Sequence, residues 1–217
     1  MDRTLLETLP LVQRLALSYA PAAAFEPTAA LLALDTRLAG IVRTRGEPVI
    51  AQLKLAWWRE RFAQEPDHWP LGEPLLALLR ASGLATGRLA PLVDGWEALL
   101  AERLDEAALM QFAQGRAEGW LAVAERTDGE ADAGAVRMAA EGWALADLAL
   151  HLGDGAEAEM VRQAALSLPP AERMPRRLRP LAVLAGLSRR ALERGASDPL
   201  DGPGAMMVAM RLGIAGR

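Results

Sequence analysis

The chain has 217 residues, 52% of them hydrophobic, and a formal net charge of −4. This length and apolar content suffice for the core of one domain, and we expect residues 1–217 to form it. Cysteine is absent, which excludes disulfides, thiolate metal sites and a cysteine nucleophile. Because no basic block or basic–aromatic alternation occurs, no nucleic-acid partner is expected.

Alanine and leucine dominate the sequence while β-branched residues are scarce, so an all-α fold without sheet is predicted. The longest uncharged run near the start, residues 15–25, contains a proline and is shorter than the roughly 20 residues of a membrane span. No secretory signal precedes it. We therefore expect a cytoplasmic protein, and leave peripheral membrane contact open.

The first predicted helix is capped by Thr4, with Glu7 as its capping-box partner, and runs toward Tyr19. Pro21 then interrupts the chain, and a second helix is predicted over residues 28–45.

A third helix begins near Glu47, because Pro48 suits the first turn of a helix. Its sequence over residues 47–60 is EPVIAQLKLAWWRE. The helical spacing predicts a core helix with a charged rim. Its predicted apolar stripe comprises Val49, Ile50, Leu53, Ala56, Trp57 and Trp58.

Further helices are predicted after residue 73, from a Thr86 cap to Leu100, and from an Asp105 cap to about Arg126. Others cover residues 135–152, the segment up to 167 and the segment after 175, so that the chain forms a helical bundle. Residues 201–217 are expected to form a capping tail. Its packing side chains are predicted to be Met206, Met207, Met210 and Ile214.

Residues 31–43, LLALDTRLAGIVR, together with residues 47–60, resemble the squalene/phytoene synthase family. Members of that family carry an EPxxxQxxLxWWRE-like stretch after their first metal-binding helix. The resemblance covers about residues 19–194 and implies a single-domain bundle of the isoprenoid synthase type with a central apolar cavity. Active members condense two prenyl diphosphates, using Mg²⁺ held by clustered carboxylates on facing helices.

The first Asp-rich motif of the family is reduced here to Asp35, since residues 38–40 replace the following acidic positions and Arg43 stands where a carboxylate would be useful. Asp35 shares a helix face with apolar residues, which predicts that it points into the bundle. A buried carboxylate needs a partner. An ion pair with Arg43 or Arg59 and contact with a ligand both remain open.

Two later segments keep weaker traces of the family. LVDGWEALL retains Asp94 and Gly95 of an IDGM-like turn, but Leu99 replaces the next acidic residue. FAQGRAEGW matches a helix of the family in which Glu118 stands at the position of a close-packing glycine.

The second Asp-rich motif falls within WALADLALHLGD, where the alignment places Leu150 at an arginine and His151 at an aspartate. Asp147, His151 and Asp154 nevertheless share one helix face. They are either two or three ligands of a metal or an exposed cluster that caps a helix end.

The resemblance with these losses implies a divergent member that has lost prenyl transfer, similar to the branch related to a mitochondrial complex I assembly factor. It would act as a binding or assembly module with a protein partner and no cofactor. The alternative is an active prenyltransferase whose Mg²⁺ ligands are Asp35, Asp94, Asp147 and Asp154. A third hypothesis is prenyl-diphosphate or lipid binding without catalysis. Its phosphate-binding residues would be Arg43, Arg45, Lys54 and Arg59.

Overall fold

The computed structural model describes residues 3–44, 47–153 and 155–216, without the side chains of residues 3 and 4. Over these residues the chain forms eleven α-helices and three short 3₁₀ turns, with no strand, which confirms the all-α class. The helices are α1 (Arg3–Glu7), α2 (Leu11–Leu17), α3 (Ala22–Arg43), α4 (Pro48–Phe62), α5 (Pro74–Ser82), α6 (Leu89–Ala98), α7 (Glu106–Thr127), α8 (Ala133–His151), α9 (Ala156–Ser167), α10 (Arg179–Arg194) and α11 (Ala205–Ala215).

The N-terminal segment is divided by prolines more than the sequence predicts. Pro10 separates α1 from α2, so the single helix expected toward Tyr19 is wrong; the proposed cap, Thr4, has no described side chain. Helix α3 begins directly after Pro21, earlier than predicted, and continues through Pro27 to Arg43. Pro27 is the sixth residue of this long helix, beyond the first turn, so its missing N–H removes one intrahelical hydrogen bond.

Helix α4 is buried only in its C-terminal half, so the predicted apolar stripe is wrong at its start. Leu55, Trp58 and Phe62 are buried, whereas Val49, Ile50 and Leu53 are exposed. The helix packs against α3 and α6. The aromatic rings of residues 57, 58, 62 and 69 follow one another at edge or tilted angles with centroids 5.0–6.0 Å apart. The paired tryptophans therefore belong to an aromatic row at the end of α4.

Two glycines allow α6 and α7 to approach closely. A Cβ atom added to Gly115 would overlap the carbonyl oxygen of Pro91 and lie 3.0 Å from the Cα atom of Gly95. Gly119, one turn further along α7, packs directly against Leu31 of α3. The expectation that this helix lacks its close-packing glycine is therefore wrong, because neighbouring positions supply it.

The C-terminal helix α11 packs against α10 with a different face from the one predicted. Its buried residues are Ala205, Ala209, Leu212 and Gly213. The methionines at 206, 207 and 210 and Ile214 are exposed. Small side chains let the two helices approach closely, and this closeness leaves the longer side chains on the outside.

Two further helix starts were predicted from capping side chains, those of Asp105 and Thr86. Asp105 caps α7 as expected, since its Oδ1 accepts a hydrogen bond of 2.8 Å from the backbone N–H of Ala108. Thr86 instead lies in a 3₁₀ turn and makes no capping hydrogen bond, so α6 begins at Leu89.

The buried apolar side chains, from Leu9 to Leu212, form one core cluster. Helices α3, α7, α8 and α10 supply much of it. No helix in the described part of the chain has both the length and the apolar content needed to cross a membrane.

Replacing Gly115 with alanine is expected to destabilise the protein by about 1–3 kcal/mol, because the new methyl group would force α6 and α7 apart. Gly142, within α8, is the matched control, since a Cβ atom there meets nothing within 4 Å. Gly142→Ala should stabilise by about 0.5–1 kcal/mol through helix propensity. Urea unfolding of both variants measures this, and equal effects would contradict the close approach.

Candidate functional site

Arg116 of α7 is almost completely buried, with 1% of its side chain exposed, and it joins carboxylates from two other helices. Its Nη2 and Nε donate to Asp35 of α3 at 2.6 and 3.0 Å. Its Nη1 donates to Oδ2 of Asp147 of α8 at 2.9 Å. The guanidinium thus bridges α3, α7 and α8 in a geometry that matches its planar fork of donors.

Aromatic rings enclose this ionic cluster. The guanidinium carbon of Arg116 lies 3.8 Å from the ring centroid of Trp143 and 5.4 Å from those of Trp96 and Phe112. The indole N–H of Trp96 also donates to Oδ1 of Asp35 at 2.9 Å. Three N–H groups therefore point at the two oxygens of Asp35, as expected around an ionised carboxylate.

The helical spacing of the surrounding residues explains how these groups meet. Phe112, Arg116 and Trp120 follow one another at intervals of four on the inner face of α7. Trp143 and Asp147 are likewise one turn apart on α8. The close approach of α6 at Gly115 brings Trp96 against this face.

Burial and ion pairing shift the pKa values of the cluster's charged groups in opposite directions. Burial raises the pKa of Asp35 above its usual value, although Arg116 and the Trp96 indole oppose that rise. Burial disfavours the charged form of Arg116, but the carboxylates of Asp35 and Asp147 outweigh it and raise the pKa of Arg116. The guanidinium therefore remains charged, and the cluster carries a fixed positive charge between two carboxylates.

The cluster forms the floor of a cleft of about 420 Å³. Asp35 and Asp147 face it together with Arg43, Gln13 and His151. Its walls come from α2, α3, α8 and the segment after α10. The apolar lining residues include Leu11, Val12, Ala39, Leu150, Pro199 and Leu200. The cleft is thus lined by two buried carboxylates, further polar groups and several apolar side chains.

The four proposed metal ligands do not all converge. Asp35 and Asp147 meet through Arg116, whereas Asp94 pairs with Nε of Arg59 at 2.7 Å. Asp154 lies outside the described residues. The expected partner of Asp35 is corrected as well, because Arg116 takes the place proposed for Arg43 or Arg59. The proposed exposed cluster is also wrong for Asp147, which is only 14% exposed.

The proposed phosphate-binding residues are dispersed. Arg43 lines the cleft, while Lys54 borders a separate groove with Arg37 and Ile41. Arg59 is held by Asp94 and by Glu97. Arg45 lies outside the described residues.

The described carboxylates do not fit a Mg²⁺ site. Mg²⁺ needs carboxylate oxygens that are free to face the ion and its water shell. Here Asp35 accepts three N–H donors, and Arg116 already occupies the space between it and Asp147. No group of three or more His, Cys, Asp or Glu residues suited to a metal occurs within residues 3–44, 47–153 and 155–216.

Arg116 and Gln13 are the site residues that sequence reasoning missed. The signal for Arg116 was present, since its spacing from Phe112 and Trp120 places a charge on an otherwise apolar face. Gln13 gave no such signal, because its burial depends on how α2 lies against α3. Comparison of the chain with models of known protein families, with curated proteins and with solved structures finds no match.

Replacing Arg116 with methionine is expected to destabilise the protein by about 3–5 kcal/mol, because Asp35 and Asp147 would remain buried without their cation. Adding Asp35→Asn to this variant should restore part of the loss by removing one of the two unpaired charges. Chemical unfolding measures both variants. Arg162→Met, which breaks an exposed ion pair with Glu159, is the control and should leave the midpoint unchanged. Equal stability of Arg116→Met and wild type would contradict the structural role of the cluster.

Proposed function

We propose that the protein is a divergent, non-catalytic bundle of the squalene/phytoene synthase type and acts as a binding or assembly module. The observation that carries this proposal is the guanidinium of Arg116 between Asp35 and Asp147. By the resemblance to that family, these two aspartates lie on the two helices that correspond to its Mg²⁺-binding helices. An arginine at this point supplies the positive charge that both carboxylates need, and it takes the place of a metal ion that would bridge them to diphosphate.

The alternative, an active prenyltransferase, would need several carboxylates around a common ion and an apolar chamber for the prenyl chains. Asp94 is engaged with Arg59, so the remaining described candidates are the two aspartates bound to Arg116. Binding of a prenyl diphosphate without catalysis is also less favoured, because the described arginines and lysine proposed for it do not converge.

The exposed start of α4 supports a role in binding another protein. Val49, Ile50 and Leu53 form an exposed apolar row on one side of the first turns of the helix, and Leu53 is 63% exposed. An apolar row of this kind on a protein surface is typical of a contact site for a partner. We assign this row, Val49–Ile50–Leu53, to the proposed protein partner.

The purified protein is expected to release no pyrophosphate from farnesyl or geranylgeranyl diphosphate in the presence of Mg²⁺, because the described candidates Asp35, Asp94 and Asp147 are each paired with an arginine. A coupled pyrophosphate assay measures this, with an active squalene synthase as positive control. Mg²⁺-dependent release by the wild type that is lost in the near-isosteric Asp147→Asn variant would overturn the proposal.

A photo-crosslinking amino acid at position 53 is expected to yield adducts of discrete mass in cells that express the protein. The matched control is position 71, since Leu71 is 90% exposed but lies in a loop outside the α4 row. Mass spectrometry of the adducts identifies what contacts each position. Equal, unspecific labelling from both positions would contradict a docking role for the start of α4.

A further inference from the structure

We propose that the cleft above the Arg116 cluster binds a small organic cation, an aliphatic ammonium compound that also carries a neutral oxygen acceptor. This inference goes beyond the proposed function, because it concerns a small-molecule ligand and does not depend on the ancestry of the fold. It rests on the free polar atoms of the cleft, on its balance of charges and on its apolar walls.

Asp147 offers the site for the ammonium group. Its Oδ2 accepts from Arg116, while its Oδ1 accepts no hydrogen bond from the described residues. Nδ1 of His151 lies 3.6 Å from this Oδ1 and forms its hydrogen bond with the backbone carbonyl oxygen of Asp147 instead. This oxygen therefore remains available at the floor of the cleft. An ammonium group would donate a charge-assisted hydrogen bond to this oxygen, which otherwise accepts none from the described residues.

Gln13 supplies an independent indication that a ligand binds. The residue lines the cleft, yet it is only 6% exposed. Its Oε1 accepts from the hydroxyl of Thr36 at 3.1 Å, but its amide nitrogen has no hydrogen-bond partner among the residues that the structure describes. This nitrogen is not among the enclosed polar atoms that lack a partner, so it is reachable from the cleft that Gln13 lines. The oxygen of a hydroxyl or carbonyl group on the ligand would satisfy it.

The charges of the cleft favour a cation over an anion. Among the residues that the structure describes, the carboxylates of Asp35, Asp147 and Asp198 face it, and the nearby guanidinium groups are those of Arg43 and Arg116. Arg43 lies two helical turns from Asp35 along α3, at a distance of roughly 12 Å. An anion would find one guanidinium away from the floor and carboxylates at the floor. The apolar side walls suit a short aliphatic chain, and the volume is that of a small-molecule site.

Binding is tested by calorimetry and thermal shift on the full chain with four probes of equal chain length: aminopentanol, pentylamine, pentanol and pentanoate. Aminopentanol should bind most tightly and raise the melting temperature in proportion to its saturation of the site. Pentanol and pentanoate should bind about tenfold more weakly or worse, since they lack the ammonium group. Pentylamine should be intermediate because it leaves the Gln13 amide without an acceptor.

Variants locate the site without disturbing the Arg116 cluster. Gly40→Leu places a side chain at the cleft wall, where a Cβ atom meets nothing within 4 Å, and should abolish binding. Gly142→Leu also adds a side chain to open space within a helix but does not line this cleft, so it should bind like wild type. Gln13→Met should remove the advantage of aminopentanol over pentylamine.

Equal affinity for aminopentanol and pentanol would overturn the proposal, as would unchanged binding in Gly40→Leu or the absence of binding by any probe. Tighter binding of pentanoate than of pentylamine would overturn it in favour of an anion site at Arg43. These outcomes are separate from those of the pyrophosphate assay, because a module without prenyl transfer is compatible with either result.

Discussion

The buried guanidinium of Arg116 is the interaction on which the interior of this bundle depends. Removing a charge from water costs several kcal/mol, and a protein tolerates it only where hydrogen bonds and opposite charges replace the solvent. Here two carboxylates from α3 and α8 accept its donors while the ring of Trp143 lies 3.8 Å away. Because Asp35, Arg116 and Asp147 lie on three different helices, α3, α7 and α8 must all be correctly placed for both ion pairs to form.

The same requirement explains the glycines of the neighbouring helices. Trp96 donates to Asp35 only because α6 lies close to α7, and that approach needs hydrogen rather than a side chain at Gly95 and Gly115. The hydrogen bond from Trp96 to Asp35 and the close packing of the α6 and α7 backbones therefore depend on each other. A bulkier residue at Gly115 would move the indole of Trp96 as well as the helix that carries it.

Local signals in the sequence were sufficient for the helical class and for several helix ends. Pro48 and Asp105 mark starts that the structure confirms, since each acts through its own backbone or side chain. The failures at α4 and in the candidate site concern tertiary context. The apolar spacing of α4 correctly indicates a helix, yet it could not show that Val49, Ile50 and Leu53 are exposed, because burial depends on where the neighbouring helices end.

The partner of Asp35 illustrates the same limit within the candidate site. The helical spacing predicted that this carboxylate points inward and needs a cation, but a sequence offers many arginines. The sequence suggests Arg43 or Arg59, whereas the structure pairs Asp35 with Arg116, which is 81 residues away. A guanidinium satisfies two facing carboxylates as a metal ion would. Arg116 therefore supplies the electrostatic reason for bringing α3 and α8 together.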